Sequence, residues 1–150
     1  MTRQAHAQFA KQYLAELLTS LGEVETSRHV SSEVRQVDVS FVPKQAASIE
    51  SQHLGLLGKI ASSTCLLKPF QNVPSAVEVP NCLLKLYSLH GELLRKARRE
   101  RNVLLEADLP SLWILSPSCS QSLLNRFGSK LADTGWMNVF IFCLSCRRRR

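Results

Sequence analysis

The residue of this sequence best suited to chemistry is an aspartate between two valines, Asp38 in "EVRQVDVSF", residues 33–41. Counting with the two-residue period of a β-strand puts Asp38 on one face with Gln36 and Ser40. A polar row of this kind is typical of a solvated sheet face. It is also a place where a carboxylate could bind Mg²⁺, which prefers carboxylate oxygens and keeps several of its waters. A magnesium site would need a second acid close in space.

Cations gather in "CLLKLYSLHGELLRKARRE", residues 82–100, which predicts a long helix. Lys85, Lys96 and Arg99 fall on one outer face of that helix, together with Glu92. One interpretation is a solvated helix face on which Glu92 supports Lys96 one turn later. The other is a surface that follows nucleic-acid phosphates.

Two further groupings could in principle do chemistry. The "CLSC" pair, Cys143 and Cys146, has zinc-ligand spacing, but a zinc site needs a second ligand pair and no partner spacing is visible. Ser118 or Cys119 with His90 could form a nucleophile and its base. No glycines flank them, and His90 falls on the apolar stripe of its helix, so we expect a core histidine that is hydrogen-bonded locally.

Composition limits the class of protein. The chain has 150 residues, 45% hydrophobic and 21% charged, which fits one soluble globular domain with its own core. The net charge is +7, and the four arginines 147–150 supply more than half of it, leaving +3 without them. A nucleic-acid partner is therefore suggested rather than demanded.

Cysteine usage and hydropathy indicate a compartment. The five cysteines are an odd number at irregular spacings, which favours buried thiols in a reducing compartment over disulfides. The N-terminus lacks the apolar segment of a signal peptide, and the apolar run "VFIFCL" is too short to span a bilayer. We expect a cytoplasmic protein without a membrane partner, whose oligomeric state the sequence does not predict.

The elements that must position these residues alternate along the chain. Periodicity predicts the order α-β-β-(α)-β-α-β-α-β, an α/β domain with a mixed sheet of four to five strands flanked by helices. The long helix begins either at a Ser75–Glu78 capping box or with Pro80 in its first position. The predicted elements are a helix at about 4–20, strands at 23–30 and 34–42, a short helix at 53–61, a strand at 64–70, the long helix to about 101, a strand at 111–116, a helix from Ser116-Pro117 to Gly128, and a strand at 137–144.

This order resembles the core of the PD-(D/E)XK nucleases. The stretches "FAKQYLAELL", "GEVETSRHVSSEVRQVDVSF", "CLLKPFQN" and "LPSLWILSPS", with the long helix above, are similar to an uncharacterised, mainly cyanobacterial group. That group is similar to recombination-promoting nucleases and transposase-like proteins. The resemblance implies a restriction-endonuclease-like domain over residues 1–130. Residues 131–150 look like a truncated or divergent C-terminal strand with a basic tail.

The resemblance also implies roles for particular residues. In these nucleases an aspartate on the second strand and an acid on the third share Mg²⁺, which activates water and stabilises charge on the scissile phosphate of DNA. Asp38 matches the first acid and metal ligand. Lys68 stands where relatives, reading "CLLEPF", have the second acid, and Phe70 stands where the family has its lysine. Glu16 and Glu23 match acids near the N-terminus, or are simply exposed to solvent.

These residues predict a degenerate, metal-dependent nuclease-like domain that is weakly active or inactive, because a cation at position 68 repels Mg²⁺. The alternatives are a non-catalytic module that binds nucleic acid through Lys85, Lys96 and Arg99 or interacts with another partner, and a truncated gene product without independent function.

Overall fold

The structure is a computed structural model that describes residues 3–30, 35–44, 54–118, 120–127, 130–131 and 140–144. For residues 3–4, 28–30, 35–38, 130–131 and 140–144 the description covers the backbone only. The helices and strands in these ranges are α1 (Arg3–Thr19), β1 (Gly22–Val30), β2 (Arg35–Pro43), α2 (Leu56–Ile60), β3 (Cys65–Pro69), α3 (Glu78–Arg99), β4 (Ser111–Ser116), α4 (Gln121–Phe127), β5 (Lys130–Leu131) and β6 (Phe140–Leu144).

The strands form one mixed sheet in the order β1-β2-β3-β4-β6-β5. β1, β2 and β3 are antiparallel neighbours, and β3 and β4 are parallel because α3 crosses over between them. β6 is antiparallel to both β4 and β5. The predicted α/β class, a mixed sheet flanked by helices, is confirmed. The strand count was predicted too low because β5 has only two residues, too few to show any periodicity.

Helices cover both faces of the sheet, and each face has its own apolar cluster. α1 and α2 bury the first cluster against the faces of β2 and β3 that carry Val39, Phe41 and Leu67. α3 and α4 bury the second against the faces that carry Leu66 and Ile114. We call this second face the α3 side of the sheet. Burying a leucine-sized side chain contributes about 1.5–3 kcal/mol, so the two clusters are the main source of stability.

The ends of α3 are defined by local hydrogen bonds. The backbone N–H of Ser75 donates to Glu78 at 2.8 Å, and the Glu78 N–H donates to the Ser75 hydroxyl at 3.2 Å, which is the capping box. Pro80 is tolerated because the first N–H groups of a helix have no partner within it. At the other end Arg101 has φ 55°, and Asn102 N–H donates to the Ala97 carbonyl at 2.9 Å, a Schellman arrangement.

Some side chains differ from the sequence prediction. Helical spacing places Tyr87 and Leu94 on the predicted apolar stripe of α3 with His90, but they are 48% and 41% exposed. The buried stripe is shifted round the helix by about one position and is formed by Val79, Cys82, Leu86, Leu89 and His90. A helix with two neighbouring apolar stripes can turn either one to the sheet, and the pattern alone does not distinguish them.

The end of α1 and the start of α4 also differ from the sequence prediction. A glycine directly after a helical pattern predicts a C-terminal cap, and Gly22 follows α1 in this way. In the structure Gly22 is the first residue of β1, and α1 ends with a hydrogen bond from the Leu21 N–H to the Leu18 carbonyl at 3.0 Å. α4 begins at Gln121, later than predicted, because the Ser120 hydroxyl accepts from the Leu123 N–H at 3.3 Å.

Candidate functional site

Asp38 lies in the middle of β2, where its backbone position is fixed by both neighbouring strands. Val39 pairs with Thr26 of β1 and with Leu67 of β3. The side chain of Asp38 lies outside the part of the chain that the structure describes. Continuing the β2–β3 register by one residue places the Asp38 position directly opposite Lys68.

The same register fixes the side of the sheet on which this position lies. Ser40, two residues after Asp38, pairs with Leu66, and Leu66 belongs to the cluster on the α3 side. Because side chains alternate along a strand, Asp38 and Lys68 have the same parity as Ser40 and Leu66. The interpretation of this row as fully solvated is wrong at Ser40, which is only 4% exposed. The reason is that α3 contacts β1 and β2 and covers part of this side.

Lys68 is partly buried at the C-terminal half of β3. Its Nζ atom lies 5.3 Å from the centre of the Phe70 ring, and Phe70 packs against the cluster on the α3 side. A cation at this distance from a ring face is attracted by the ring electrons. Phe70 stands where the resemblance would place a lysine. Its ring contacts the ammonium group of Lys68, two residues earlier.

Acids from β1 reach the same side of the sheet. Val24 packs against the α1 cluster, so by alternation Glu23 and Glu25 belong to the α3 side. Both are exposed, as expected for Glu23 in the solvent-exposed interpretation. Glu25 pairs with Ser40, which puts it diagonally across from the Asp38 position, roughly 7–8 Å away. Sequence reasoning missed Glu25 because only the hairpin register reveals its proximity.

Glu16 lies on a different layer from these acids. It is an exposed residue of α1, which packs through Leu14 and Leu18 on the opposite face of the sheet. The structure therefore brings Glu25 close to the Asp38 position. Glu23 pairs with Val42, four residues along β2 from Asp38, and lies further away, and Glu16 lies on the other layer.

The residue of β1 opposite Asp38 has an unusual backbone. Ser27 has φ 58°, although it lies between the regular pairs Thr26–Val39 and Arg28–Val37. A non-glycine residue in this left-handed region costs about 1–3 kcal/mol and is uncommon inside a strand. Ser27, Asp38 and Lys68 thus occupy one line across three strands, which we call the Asp38 row.

The predicted phosphate-binding cations lie along one flank of α3. The Nε2–H group of His90 donates to the Pro110 carbonyl oxygen at 2.7 Å, an atom of the loop that enters β4. Glu92 lies two residues after His90 and therefore about 200° round the helix from it, on the same flank as Lys85, Lys96 and Arg99. We call Lys85, Lys96 and Arg99 the basic flank. Lys96 and Arg99 are exposed, and Lys85 is partly buried.

Glu92 does not lie fully on the solvated outer surface, which corrects the sequence prediction. Its Oε2 atom is buried, because this flank turns towards the sheet. Lys96 Nζ lies 4.0 Å from Glu100 Oε1, and both side chains are at least half exposed. A pair of this kind adds at most about 0.5 kcal/mol, so it leaves Lys96 able to exchange partners.

The described side chains beside the Asp38 position do not provide the ligands of a magnesium ion. Within the described residues no group of three or more histidines, cysteines, aspartates or glutamates could hold a metal ion. In the Asp38 row the place of a second carboxylate is taken by Lys68, whose ammonium group donates hydrogen bonds and has no lone pair to offer a metal. We therefore derive no metal-assisted step for this chain.

The other groupings have structural roles or lie outside the description. His90 is buried, as expected of a core histidine, but its partner is twenty residues away rather than local. Ser118 is exposed and its carbonyl accepts from the Ser116 hydroxyl, while Cys119 and Cys146 lie outside the described residues. Cys65 and Cys82 are buried thiols, as predicted. Among the described helices, none combines the length and apolar character needed to cross a membrane.

No known protein-family model, curated protein or solved structure matches this chain. The likeness to nucleases rests on the residues quoted above and stays a prediction. Function must therefore be argued from the Asp38 row and the basic flank beside it.

Proposed function

We propose that this chain is a degenerate nuclease-like domain, related to metal-dependent DNA endonucleases and weakly active or inactive itself. The observation that carries the proposal is the register of β2 and β3, which lines up the Asp38 position with Lys68 on one side of the sheet. This is the spatial relation that two acids sharing a metal ion would need, with one of the two replaced by a cation.

The replacement has a calculable electrostatic consequence. Two unit charges 4 Å apart interact by about 1 kcal/mol in water and about 4 kcal/mol at an effective dielectric constant of 20. A divalent ion doubles this repulsion, so Lys68 weakens Mg²⁺ binding by on the order of 2–8 kcal/mol. It also removes the attraction of a second carboxylate. Both effects lower activity that depends on a metal ion.

A non-catalytic role in nucleic-acid binding is the second candidate, and the placement of the basic flank favours it. Lys85, Lys96 and Arg99 follow one flank of α3, and α3 contacts β1 and β2 on the same side of the sheet as Ser40 and Leu66. Cations placed along a groove contact phosphates independently of base sequence. This function would survive the loss of the metal site.

The test restores the missing acid. We expect Lys68→Glu to cleave supercoiled plasmid DNA in Mn²⁺ or Mg²⁺, whereas the unaltered protein cleaves it weakly or not at all. Adding Asp38→Ala to Lys68→Glu should abolish the new activity. Lys59→Glu, an equal charge change at an exposed residue of α2 on the other face of the sheet, is the matched control and should not cleave.

Metal binding provides the second measurement. Isothermal titration with Mg²⁺ should show binding to Lys68→Glu that Asp38→Ala removes. If neither the unaltered protein nor Lys68→Glu binds the ion or cuts any nucleic acid, the nuclease-like proposal has no remaining support.

A further inference from the structure

We infer that Lys68 is the fixed cation of this site and binds a backbone phosphate of nucleic acid, so that binding needs no divalent ion. The inference rests on the proposed function and names the group that would contact the ligand. The mismatch between the donor set and Mg²⁺ is its starting point.

The charges on the α3 side of the sheet make Lys68 decisive. Glu23 and Glu25 of β1 belong to this side, and the Asp38 position has the same parity. Among the described side chains that β1, β2 and β3 present on this side, Lys68 is the one cation. Without it the described side chains of these strands would present only negative charge on this side and would repel a phosphate. A nucleic acid could then approach only with a divalent ion between the two anions.

The position of Lys68 suits a group that links a carboxylate to a phosphate. An ammonium group has three donors, so a lysine that has a partner within the fold can still donate to a phosphate oxygen. The Phe70 ring, 5.3 Å from Nζ, restricts the side chain without using any of these donors. Lys68 is only partly buried, which leaves its end within reach of a ligand in the groove.

Further cations on α3 could contact the same nucleic-acid backbone as Lys68. α3 covers the same side of the sheet, so a sugar–phosphate chain that touches Lys68 and runs along this helix would meet Lys85, Lys96 and Arg99 in turn. Lys96 lies about three helical turns after Lys85, and Arg99 about one turn after Lys96, at about 5.4 Å per turn. The ligand we infer is therefore a duplex or single strand held by its backbone.

The test measures binding of a fluorescently labelled DNA duplex by anisotropy, in EDTA and in Ca²⁺. The unaltered protein should bind equally well in both. Lys68→Met should weaken binding about tenfold, the size of one lost charge-assisted contact, and should reduce the salt slope by about 0.9. Lys68→Arg should keep most of the affinity. Lys59→Met on α2 is the matched control and should bind like the unaltered protein.

Each other outcome overturns the inference in a distinguishable way. Binding in EDTA that Lys68→Met leaves unchanged would show that the flank binds alone and that Lys68 serves only as an ion-pair partner within the fold. Binding that requires Ca²⁺ would show a working metal site and would favour the nuclease proposal instead. No binding under either condition overturns the inference, while cleavage by Lys68→Glu still decides the proposed function separately. Thermal melts by circular dichroism verify that every variant is folded.

Discussion

The left-handed backbone at Ser27 predicts that a glycine stabilises the protein at this position and destabilises it at the neighbouring residue Thr26. Ser27 has φ 58° in the centre of β1. A side chain in this region costs about 1–2 kcal/mol that glycine does not incur. Glycine loses about 0.4–1 kcal/mol through the greater freedom of its unfolded chain. Ser27→Gly should therefore stabilise the protein by about 0.5–1 kcal/mol.

Thr26→Gly is the matched control, one residue earlier in the same strand. Thr26 pairs regularly with Val39 and is not among the residues with positive φ. Here glycine relieves no strain, costs about 0.5–1 kcal/mol of backbone entropy and removes a β-branched residue from a strand. We expect destabilisation of about 1–2 kcal/mol. Ser27→Val should also destabilise, because a β-branched side chain tolerates positive φ poorly.

Thermal unfolding followed by circular dichroism measures both changes. In a chain of this size 1 kcal/mol corresponds to a shift of Tm by about 2–4 °C. Ser27→Gly should raise Tm by about 2 °C, and Thr26→Gly should lower it by about 4 °C. If Ser27→Gly lowers Tm as Thr26→Gly does, Ser27 is not left-handed. The register that aligns the Asp38 row would then need revision, and with it the argument for Lys68.

Two further predictions concern packing. Gly22→Ala should destabilise the protein by about 1–3 kcal/mol in urea unfolding, because a Cβ there would collide with the Val42 carbonyl and the Phe41 ring. Gly91→Ala in α3 should stabilise the protein by about 0.5–1 kcal/mol, because the nearest atom to the new Cβ is the flexible Arg95 guanidinium at 3.3 Å. Equal effects of the two would contradict the packing of β1 on β2. His90→Leu should lower the free energy of unfolding by about 1–3 kcal/mol, because it removes the buried partner of the Pro110 carbonyl. His90→Gln should recover part of this stability. An unchanged stability in His90→Leu would show that the hydrogen bond is not formed in solution.

The sequence predicted best the elements that are defined by their own residues. "SLWILS" is a short apolar run bounded by Pro110 and Pro117, and β4 begins and ends as predicted. The parity of Asp38 was also readable, because it depends on one strand. Its environment was not, since the burial of Ser40 depends on how α3 crosses over the sheet. The proximity of Glu25 depends on pairing between strands, and serine carries no signal for the positive φ at Ser27.

The apolar clusters that hold β3 are formed by residues other than Lys68, so a change of side chain at this position leaves them in place. Leu66 and Leu67, the two residues before Lys68, are each 1% exposed and anchor β3 in the two apolar clusters. Lys68 itself is partly exposed, and its backbone pairing with Ile114 does not depend on its side chain. Replacing the ammonium group by a carboxylate or a methyl group therefore changes the field of the Asp38 row and not the core that holds it. For this reason Lys68→Glu and Lys68→Met should both fold, and the cleavage and binding assays should report on the chemistry of the site.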